Sequence, residues 1–150
     1  MFNLKVEFYL KLIFIISFVA IILAYFIEYA LGHQPCNLCL IERIPYGLSL
    51  FLIIINFILK KNDKFIIILL TLIFIFSFLI SIYHFGIEQG FFQESTVCGL
   101  SNTTDIISKD ELLKILNEKP VSCRDVTFRV FGLSLTTINI GISLLIVILL

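Results

Sequence analysis

Charged residues are scarce in this sequence. Only 15% of its 150 residues are charged and 59% are hydrophobic, whereas a soluble domain usually has about 25% charged and about 45–50% apolar residues. The hydrophobic excess is concentrated in long runs that a compact soluble core could not absorb. The formal net charge is +0, and no basic patch, zinc-finger spacing or RNA-binding signature is present, so a nucleic-acid partner is not expected.

Turn signals are missing from four apolar segments, which we predict to be membrane-spanning helices: 12–31, 44–59, 65–85 and 131–150. A helix needs about 20 mostly apolar residues to cross the hydrocarbon core, and an open strand would leave its backbone groups unpaired in lipid. The first segment is longer than the apolar core of a signal peptide, about 7–15 residues, and lacks a small-residue cleavage site, so it is expected to be retained. The predicted fold class is an all-α integral membrane four-helix bundle, formed by one membrane domain.

Lysines predict the orientation of these helices. They precede the first span and fill the connection between the second and third: Lys5, Lys11, Lys60, Lys61 and Lys64. An even number of spans puts both regions on one side, and positive charge favours the cytoplasmic side. Both termini are therefore expected in the cytoplasm, and loops 32–43 and 86–130 are expected to face outward.

The long outward loop contains one further element. Residues 108–111, SKDE, form a capping-box pattern and are followed by the apolar residues Leu112, Leu113, Ile115 and Leu116. This pattern predicts a short amphipathic helix, which either lies on the membrane surface or packs over the spans.

All four cysteines lie in the two outward loops, Cys36 and Cys39 in the first and Cys98 and Cys123 in the second. None lies within an apolar span, where a free cysteine would pass as a small hydrophobe. Disulfides form and persist outside the cytoplasm. Four cysteines allow three pairings, of which 36–39 with 98–123 needs no assumption about how the loops meet.

The two local bridges would differ in purpose. A Cys36–Cys39 bridge closes a very small loop and adds little to folding, and strained, exposed bridges are the labile ones. This pair is therefore predicted to be redox-active. A Cys98–Cys123 bridge would close a loop of about 25 residues, worth roughly 3 kcal/mol, and on that ground alone it could be purely structural.

Arg43 follows the first cysteine pair. If the second helix begins near the pair, Arg43 lies one turn after Cys39 on the same face, and the helix N-terminus and the guanidinium would both favour a thiolate there. A helix that starts at Pro45 instead would weaken this argument, because proline fits best at a first helical position. Arg43 could also snorkel to the headgroups or pair with Glu42, or hold the carbonyl oxygen of a lipid-soluble electron acceptor.

Histidine occurs only twice. His84 lies at the outer end of the third span with Glu88 one turn further, which by itself indicates a surface pair at a helix end. His33 precedes the first cysteine pair and has no evident partner in the sequence.

Several segments resemble one known family. Residues 35–43, PCNLCLIER, resemble the C-x-L-C-x-x-E-R signature of the bacterial disulfide bond formation protein B (DsbB) family. Residues 83–90, YHFGIEQG, look like the Y-H-x-G-x-E-x-G segment at the end of its third span. Cys98 and Cys123 occupy the places of its second-loop pair, and residues 131–134, FGLS, resemble the start of its last span. The resemblance covers essentially the whole chain, in order.

The resemblance implies a quinone-dependent thiol oxidase of the bacterial inner membrane. Its partner would be a soluble periplasmic thioredoxin-fold thiol oxidase (DsbA-like), whose thiolate attacks Cys98. Cys123 would then attack Cys36, and the electrons would leave from Cys39 to a quinone, either ubiquinone or menaquinone. By the same resemblance, Arg43 holds the quinone and His84 lies near its ring.

Other readings of the sequence are weaker. A zinc site of all four cysteines is disfavoured because the second-loop pair is widely spaced and the compartment oxidises thiols, so no metal ligands are expected. A structural subunit braced by two disulfides would leave Arg43 and the minimal C-x-x-C loop unexplained. The vitamin K epoxide reductase type shares quinone chemistry on four helices but usually carries its C-x-x-C at the end of a late span.

Overall fold

Four helices form almost all of the structure, a computed structural model that describes residues 2–59, 63–93, 122–124, 128–130 and 132–150. The helices are α1 (Phe2–Tyr29), α2 (Asn37–Leu59), α3 (Asp63–Glu88) and α4 (Leu135–Leu149). The first three are long and apolar enough to cross a membrane, and α4 is a shorter apolar helix of 15 residues. The predicted all-α, four-helix membrane fold is confirmed. The predicted amphipathic helix in the long loop lies outside the described residues.

Helix α2 begins at Asn37, seven residues earlier than the predicted second span, so Pro45 lies inside the helix and is buried. Cys36 caps this early start, because its carbonyl accepts from the Leu40 N–H at 3.2 Å and its Sγ accepts from the Cys39 N–H at 3.3 Å. Proline removes only one backbone donor, and membrane helices tolerate it where neighbouring helices pack closely. The cysteine pair therefore lies on the first turn of a helix and not in a free loop.

Helix α4 starts later than the predicted fourth span. Two short antiparallel strands, β1 (Arg129–Val130) and β2 (Leu133–Ser134), precede it, and Gly132 turns between them with φ of +85°. Ser134 caps the helix by accepting from the Thr137 N–H at 3.2 Å. The cap places Thr136 and the residues one and two turns further on the inner face of the bundle.

The helices pack in chain order, α1 on α2, α2 on α3 and α3 on α4. The apolar core contains buried residues from every helix: Leu10, Ile13, Tyr46, Ile53, Leu70, Phe74 and Ile146. Large apolar side chains on the outside, such as Phe18, Phe51 and Phe76, are at least half exposed. This distribution suits a lipid-facing surface, because hydrocarbon solvates such side chains.

Small hydroxyl side chains lie where the helices approach most closely. The hydroxyls of Ser17 on α1 and Ser49 on α2 are 3.0 Å apart, and those of Ser77 on α3 and Ser143 on α4 are 3.1 Å apart. All four residues are fully buried. Small residues allow close helix contact in membranes and add interhelical hydrogen bonds.

The end of α3 is closed by a turn that covers the helix. Gly90 has φ of +78°, and the Phe91 N–H donates to the Gly86 carbonyl at 2.8 Å. The Phe92 ring lies directly against Gly86, where a Cβ would come within 2.2 Å of the ring. A side chain at position 86 would therefore force the Phe92 ring out of its present position.

Ser49 offers a test of the packing. We expect Ser49→Ala to lower the free energy of unfolding by about 0.6 kcal/mol, an average value for interhelical hydrogen bonds in membranes. Ser49→Leu should cost roughly 1–3 kcal/mol, because extra volume is forced into a filled interface. Thermal unfolding in detergent, followed by circular dichroism, would measure both. Leu48→Ala, at the partly exposed neighbouring position, is the control and should change the free energy of unfolding little. A Ser49→Leu variant as stable as the unsubstituted protein would contradict the close packing of α1 against α2.

Candidate redox site

Cys36 and Cys39 form the centre of the site at the N-terminus of α2. Both carry free thiols, with the two sulfur atoms 2.6 Å apart. Cys36 is 5% exposed and Cys39 is half-buried. The spacing of three residues at a helix start turns both sulfurs toward the same side of the first turn, so the pair is arranged to exchange between dithiol and disulfide.

His84 lies beside this pair, buried at the outer end of α3. Its Nε2 is 3.5 Å from the Cys36 Sγ, and its Nδ1 is 2.9 Å from the Glu42 Oε1. The hydroxyl of Thr136 on α4 is 3.3 Å from the same Nδ1. The sequence indicated a pair of His84 with Glu88, and the Glu88 Oε1 lies 4.0 Å from the His84 Nε2. The predicted surface location is wrong, because both side chains are buried and face the first turns of α2 and α4.

Glu42 connects three helices at this level. Its Oε1 contacts His84 on α3, and its Oε2 accepts from the Asn139 Nδ2 on α4 at 2.9 Å. Asn139 also donates to the Ser81 Oγ at 2.8 Å and accepts from the Tyr46 hydroxyl. A buried carboxylate needs such partners, since leaving one uncompensated is strongly destabilising.

Arg43 points away from Glu42, so a pairing between these two neighbours is wrong. Its Nη1 donates to the Glu28 Oε2 on α1, and its guanidinium lies over the Tyr25 ring, 5.1 Å from the centroid. Adjacent residues on a helix point about 100° apart. Glu42 therefore faces the centre of the bundle, while Arg43 faces α1.

The environment of Cys36 favours its thiolate. Hydrogen bonding with the Cys39 side chain, followed by contacts with His84, lowers the pKa of Cys36 to about 5, against burial, which raises it. The Cys39 N–H donates to the same sulfur, so the positive end of the helix acts on Cys36. The sequence led us to expect this stabilisation at Cys39.

A cavity of about 570 Å³ opens beside the cysteines. It extends between α1 and α4, and its walls are largely apolar side chains of these two helices. Its polar edge is formed by a small group of side chains from the site: Cys36, Cys39, Glu42, Arg43, His84 and Glu88. Ligand pockets of proteins typically measure about 300–1,000 Å³ and combine apolar walls with few polar groups.

Cys123, one residue of the second cysteine pair, reaches the same place. Cys123 is 2% exposed and belongs to one buried cluster with Cys36, Leu38 and Ile87. It is disulfide-bonded, whereas Cys98 lies outside the described residues, so the 98–123 pairing stays a prediction. A disulfide sulfur is not a thiolate ligand, so a zinc site of all four cysteines is not formed in this structure.

The sequence did not reveal several residues of the site. The sequence identifies Glu42 only as a possible partner of Arg43, and it does not identify Thr136, Asn139 or Glu28 as site residues. A signal existed for α4, because Thr136, Asn139 and Ser143 recur at helical spacing in an otherwise apolar segment. Polar side chains on one face of a membrane helix usually mark the inside of a bundle.

The pKa of Cys36 can be tested in the reduced Cys98→Ser/Cys123→Ser variant. We expect the ultraviolet absorbance of a thiolate to appear as the pH rises through about 5, because the group is protonated below its pKa and charged above it. Cys36→Ser should remove this transition, and His84→Gln should move it to higher pH. A single transition near pH 8.5, the ordinary value for cysteine, would contradict the geometry.

Comparisons with known proteins identify the family of this chain. The family model described as disulfide bond formation protein DsbB matches residues 7–150. An uncharacterized protein of Rickettsia prowazekii (strain Madrid E) is 28% identical over 131 residues, which cover 86% of this chain and 76% of that protein. No solved structure matches the chain significantly. Because the family match spans nearly the whole chain, this protein belongs to the DsbB family of membrane thiol-disulfide oxidoreductases.

Proposed function

We propose that the protein reoxidises a soluble periplasmic thiol oxidase of the thioredoxin fold and passes the electrons to a quinone of the membrane. The observation that carries this proposal is the position of the Cys36–Cys39 pair. It lies between a buried disulfide sulfur, Cys123, and the polar edge of an apolar cavity. Electrons that arrive as thiols on one side of the pair can therefore leave on the other side.

The thiol steps use the four cysteines in order. A thiolate of the reduced partner attacks Cys98, which forms a mixed disulfide and releases Cys123 as a thiolate. Cys123 then attacks Cys36 of the oxidised first pair, so that the 36–39 bond breaks and Cys39 leaves as a thiolate. The partner's second thiolate resolves its mixed disulfide at Cys98, and the Cys98 thiolate then resolves the Cys123–Cys36 bridge. Each step exchanges one disulfide bond for another, so no electrons are lost.

The buried cluster favours the central exchange. Cys123 and Cys36 belong to one buried cluster with Leu38 of α2 and Ile87 of α3, so the two residues that must exchange lie in the same part of the molecule. His84 supports the same step, because its Nε2 is within 3.5 Å of the Cys36 Sγ and can hold the proton of that thiol. The Glu42 carboxylate at Nδ1 keeps the ring oriented for this role.

The cavity fits a quinone. Its apolar walls belong to α1 and α4, between which a lipid-soluble molecule could enter from the bilayer. Its polar residues include the Arg43 guanidinium and the imidazoles of His33 and His84. Arg43 and His84 are the residues that would hold the ring. A bound quinone accepts two electrons and two protons and thereby returns the dithiol to the disulfide.

Glu28 and Tyr25 prepare Arg43 for this role. Glu28 engages Nη1, and Tyr25 lies against the face of the guanidinium. A guanidinium has five N–H donors, so donors remain for a carbonyl oxygen. Because Glu28 and Tyr25 already hold the Arg43 guanidinium in one orientation, less side-chain entropy is lost when a quinone binds.

The lysine distribution supports an orientation in which both termini are cytoplasmic. The site then lies at the periplasmic side of the bacterial inner membrane, where the soluble partner is found. The connection between α2 and α3, with its lysines, lies at the opposite side. The cavity extends from the site toward the membrane interior.

A quinone titration tests the electron acceptor. Fully reduced protein in detergent, without oxygen, should lose thiols in pairs and yield one quinol for each disulfide formed. In the Cys98→Ser/Cys123→Ser background, Cys39→Ser should abolish the reaction because no first-pair disulfide can form. Thiols that remain unreacted with excess quinone would exclude a quinone as the acceptor, whereas oxidation in the Cys39→Ser variant would exclude the assigned pair.

Arg43→His separates quinone binding from thiol exchange. Losing a charged hydrogen bond of about 1.5–3 kcal/mol should raise the KM for quinone roughly 10- to 100-fold, since each 1.4 kcal/mol corresponds to a factor of ten. The rate of exchange with the reduced partner in a single turnover should change little. Arg129→His, at an exposed position on β1, is the matched control. Equal losses in both reactions would show that Arg43 only supports the fold.

A further inference from the structure

We propose that the reduced site is also a binding site for a borderline-soft divalent cation such as Zn²⁺, held by the sulfurs of Cys36 and Cys39 and by the His84 Nε2. The cation would compete with oxidation of the cysteine pair. The binding itself is independent of the proposed quinone reaction, whereas its inhibitory consequence rests on that function.

The three donor atoms already lie close together. The Cys36 Sγ, the Cys39 Sγ and the His84 nitrogen are all within 4.8 Å of one another. Around tetrahedral Zn²⁺, with bonds of about 2.3 Å to sulfur and about 2.0 Å to nitrogen, neighbouring ligands lie roughly 3.5–3.8 Å apart. The Cys36–His84 distance of 3.5 Å fits this value, and the sulfurs, at 2.6 Å, need to separate by roughly 1 Å.

His84 is oriented as a metal ligand. Metal-binding histidines almost always give their second ring N–H to a carboxylate or another acceptor, which fixes the ring and raises its basicity. The Glu42 Oε1 occupies that place, 2.9 Å from Nδ1. With the proton held at Nδ1, the Nε2 lone pair points to the cysteine sulfurs.

Glu88 supplies an independent observation. Its side chain is 6% exposed, and its Oε1 accepts from the Thr136 hydroxyl and lies 4.0 Å from the His84 Nε2. Its Oε2 is buried and has no hydrogen-bond partner among the residues that the structure describes. A buried carboxylate oxygen of this kind is costly, and Glu88 lines the same cavity as the cysteines. Glu88 lies outside the group of three ligand atoms that are within 4.8 Å of one another, so its carboxylate would have to move inward to take a fourth coordination position.

Binding would hold the pair in the reduced state. The pair gives up its remaining thiol proton as both sulfurs become thiolate ligands, and Zn²⁺ itself has no redox chemistry, so both electrons stay on the sulfurs. The oxidised pair offers no thiolates and should not bind the ion. Cation binding and disulfide formation therefore exclude each other at the same two atoms.

Cobalt(II) provides the probe for this site, because its tetrahedral thiolate complexes absorb visible light. The reduced Cys98→Ser/Cys123→Ser variant is titrated in detergent with Co²⁺, followed by displacement with Zn²⁺. We expect one Co²⁺ per chain, with a sulfur-to-metal charge-transfer band, and no binding after the cysteine pair has been oxidised. Cys36→Ser and Cys39→Ser should each abolish the spectrum.

The histidine variants test the ligand set. Glu42→Gln should weaken Co²⁺ binding about 10- to 100-fold, the usual effect of removing an outer partner of a ligating histidine, and His84→Gln should weaken it more. His33→Gln, which changes the only other histidine, is the matched control and should bind like its parent. Circular dichroism and gel filtration would identify variants that have lost the fold, and Glu88→Gln, which conserves side-chain shape, should shift the visible bands.

The outcomes are distinct. Co²⁺ binding that requires Cys98 and Cys123 would overturn the proposed ligand set. Equal Co²⁺ affinity in the His84→Gln variant, the Glu42→Gln variant and their parent would overturn it as well. In the protein with all four cysteines, quinone should oxidise the thiols more slowly when Zn²⁺ is present. The oxidation rate should recover when a chelator is added. If Co²⁺ binds as expected but quinone never oxidises the thiols, the metal site stands and the quinone function fails. If quinone oxidises the thiols but Co²⁺ does not bind, the quinone function stands and the metal site fails.

Discussion

The buried carboxylate of Glu42 is the group on which the rest of the site depends. It binds an imidazole on α3 and an amide on α4 while its own backbone belongs to α2. In a membrane interior a charged group without partners is expensive, so these three helices can pack closely only in the arrangement that satisfies it. The same arrangement places His84 next to Cys36, which means that the packing of the bundle and the chemistry of the cysteines share one set of hydrogen bonds.

The neighbouring charge, Arg43, is satisfied separately by Glu28 and Tyr25 on α1. Two adjacent residues of one helix thus hold the two sides of the cavity: Glu42 fixes α3 and α4, and Arg43 fixes α1. The apolar walls between them remain free of charge. A molecule that enters from the lipid would meet its first polar groups only at the level of the cysteine pair.

The sequence was sufficient to predict the helical class and the four helices of the described residues, because long apolar runs are a local property. The redox activity of the C-x-x-C pair stays a prediction. The sequence did not predict where α2 begins, since Pro45 is a local signal that tertiary packing overrides in lipid. It also did not identify the partners of Glu42 and Arg43 on other helices, and it identified Glu88 but not Glu42 as a neighbour of His84. Periodicity shows which residues share a face of one helix, but the partner of a polar group lies on another helix whose rotation is set by the whole bundle.

The N-terminal position of Cys36 has a consequence for the reduction potential of the first pair. A thiolate at Cys36 gains from the helix N-terminus and the imidazole, whereas a disulfide sulfur carries no charge and gains much less. The protein therefore stabilises the dithiol relative to the disulfide, and stabilising the reduced form raises the potential of such a couple. The architecture of the first turn of α2 makes this pair a stronger oxidant than an unassisted C-x-x-C would be, and under the proposed function this favours electron transfer from the second cysteine pair to the first.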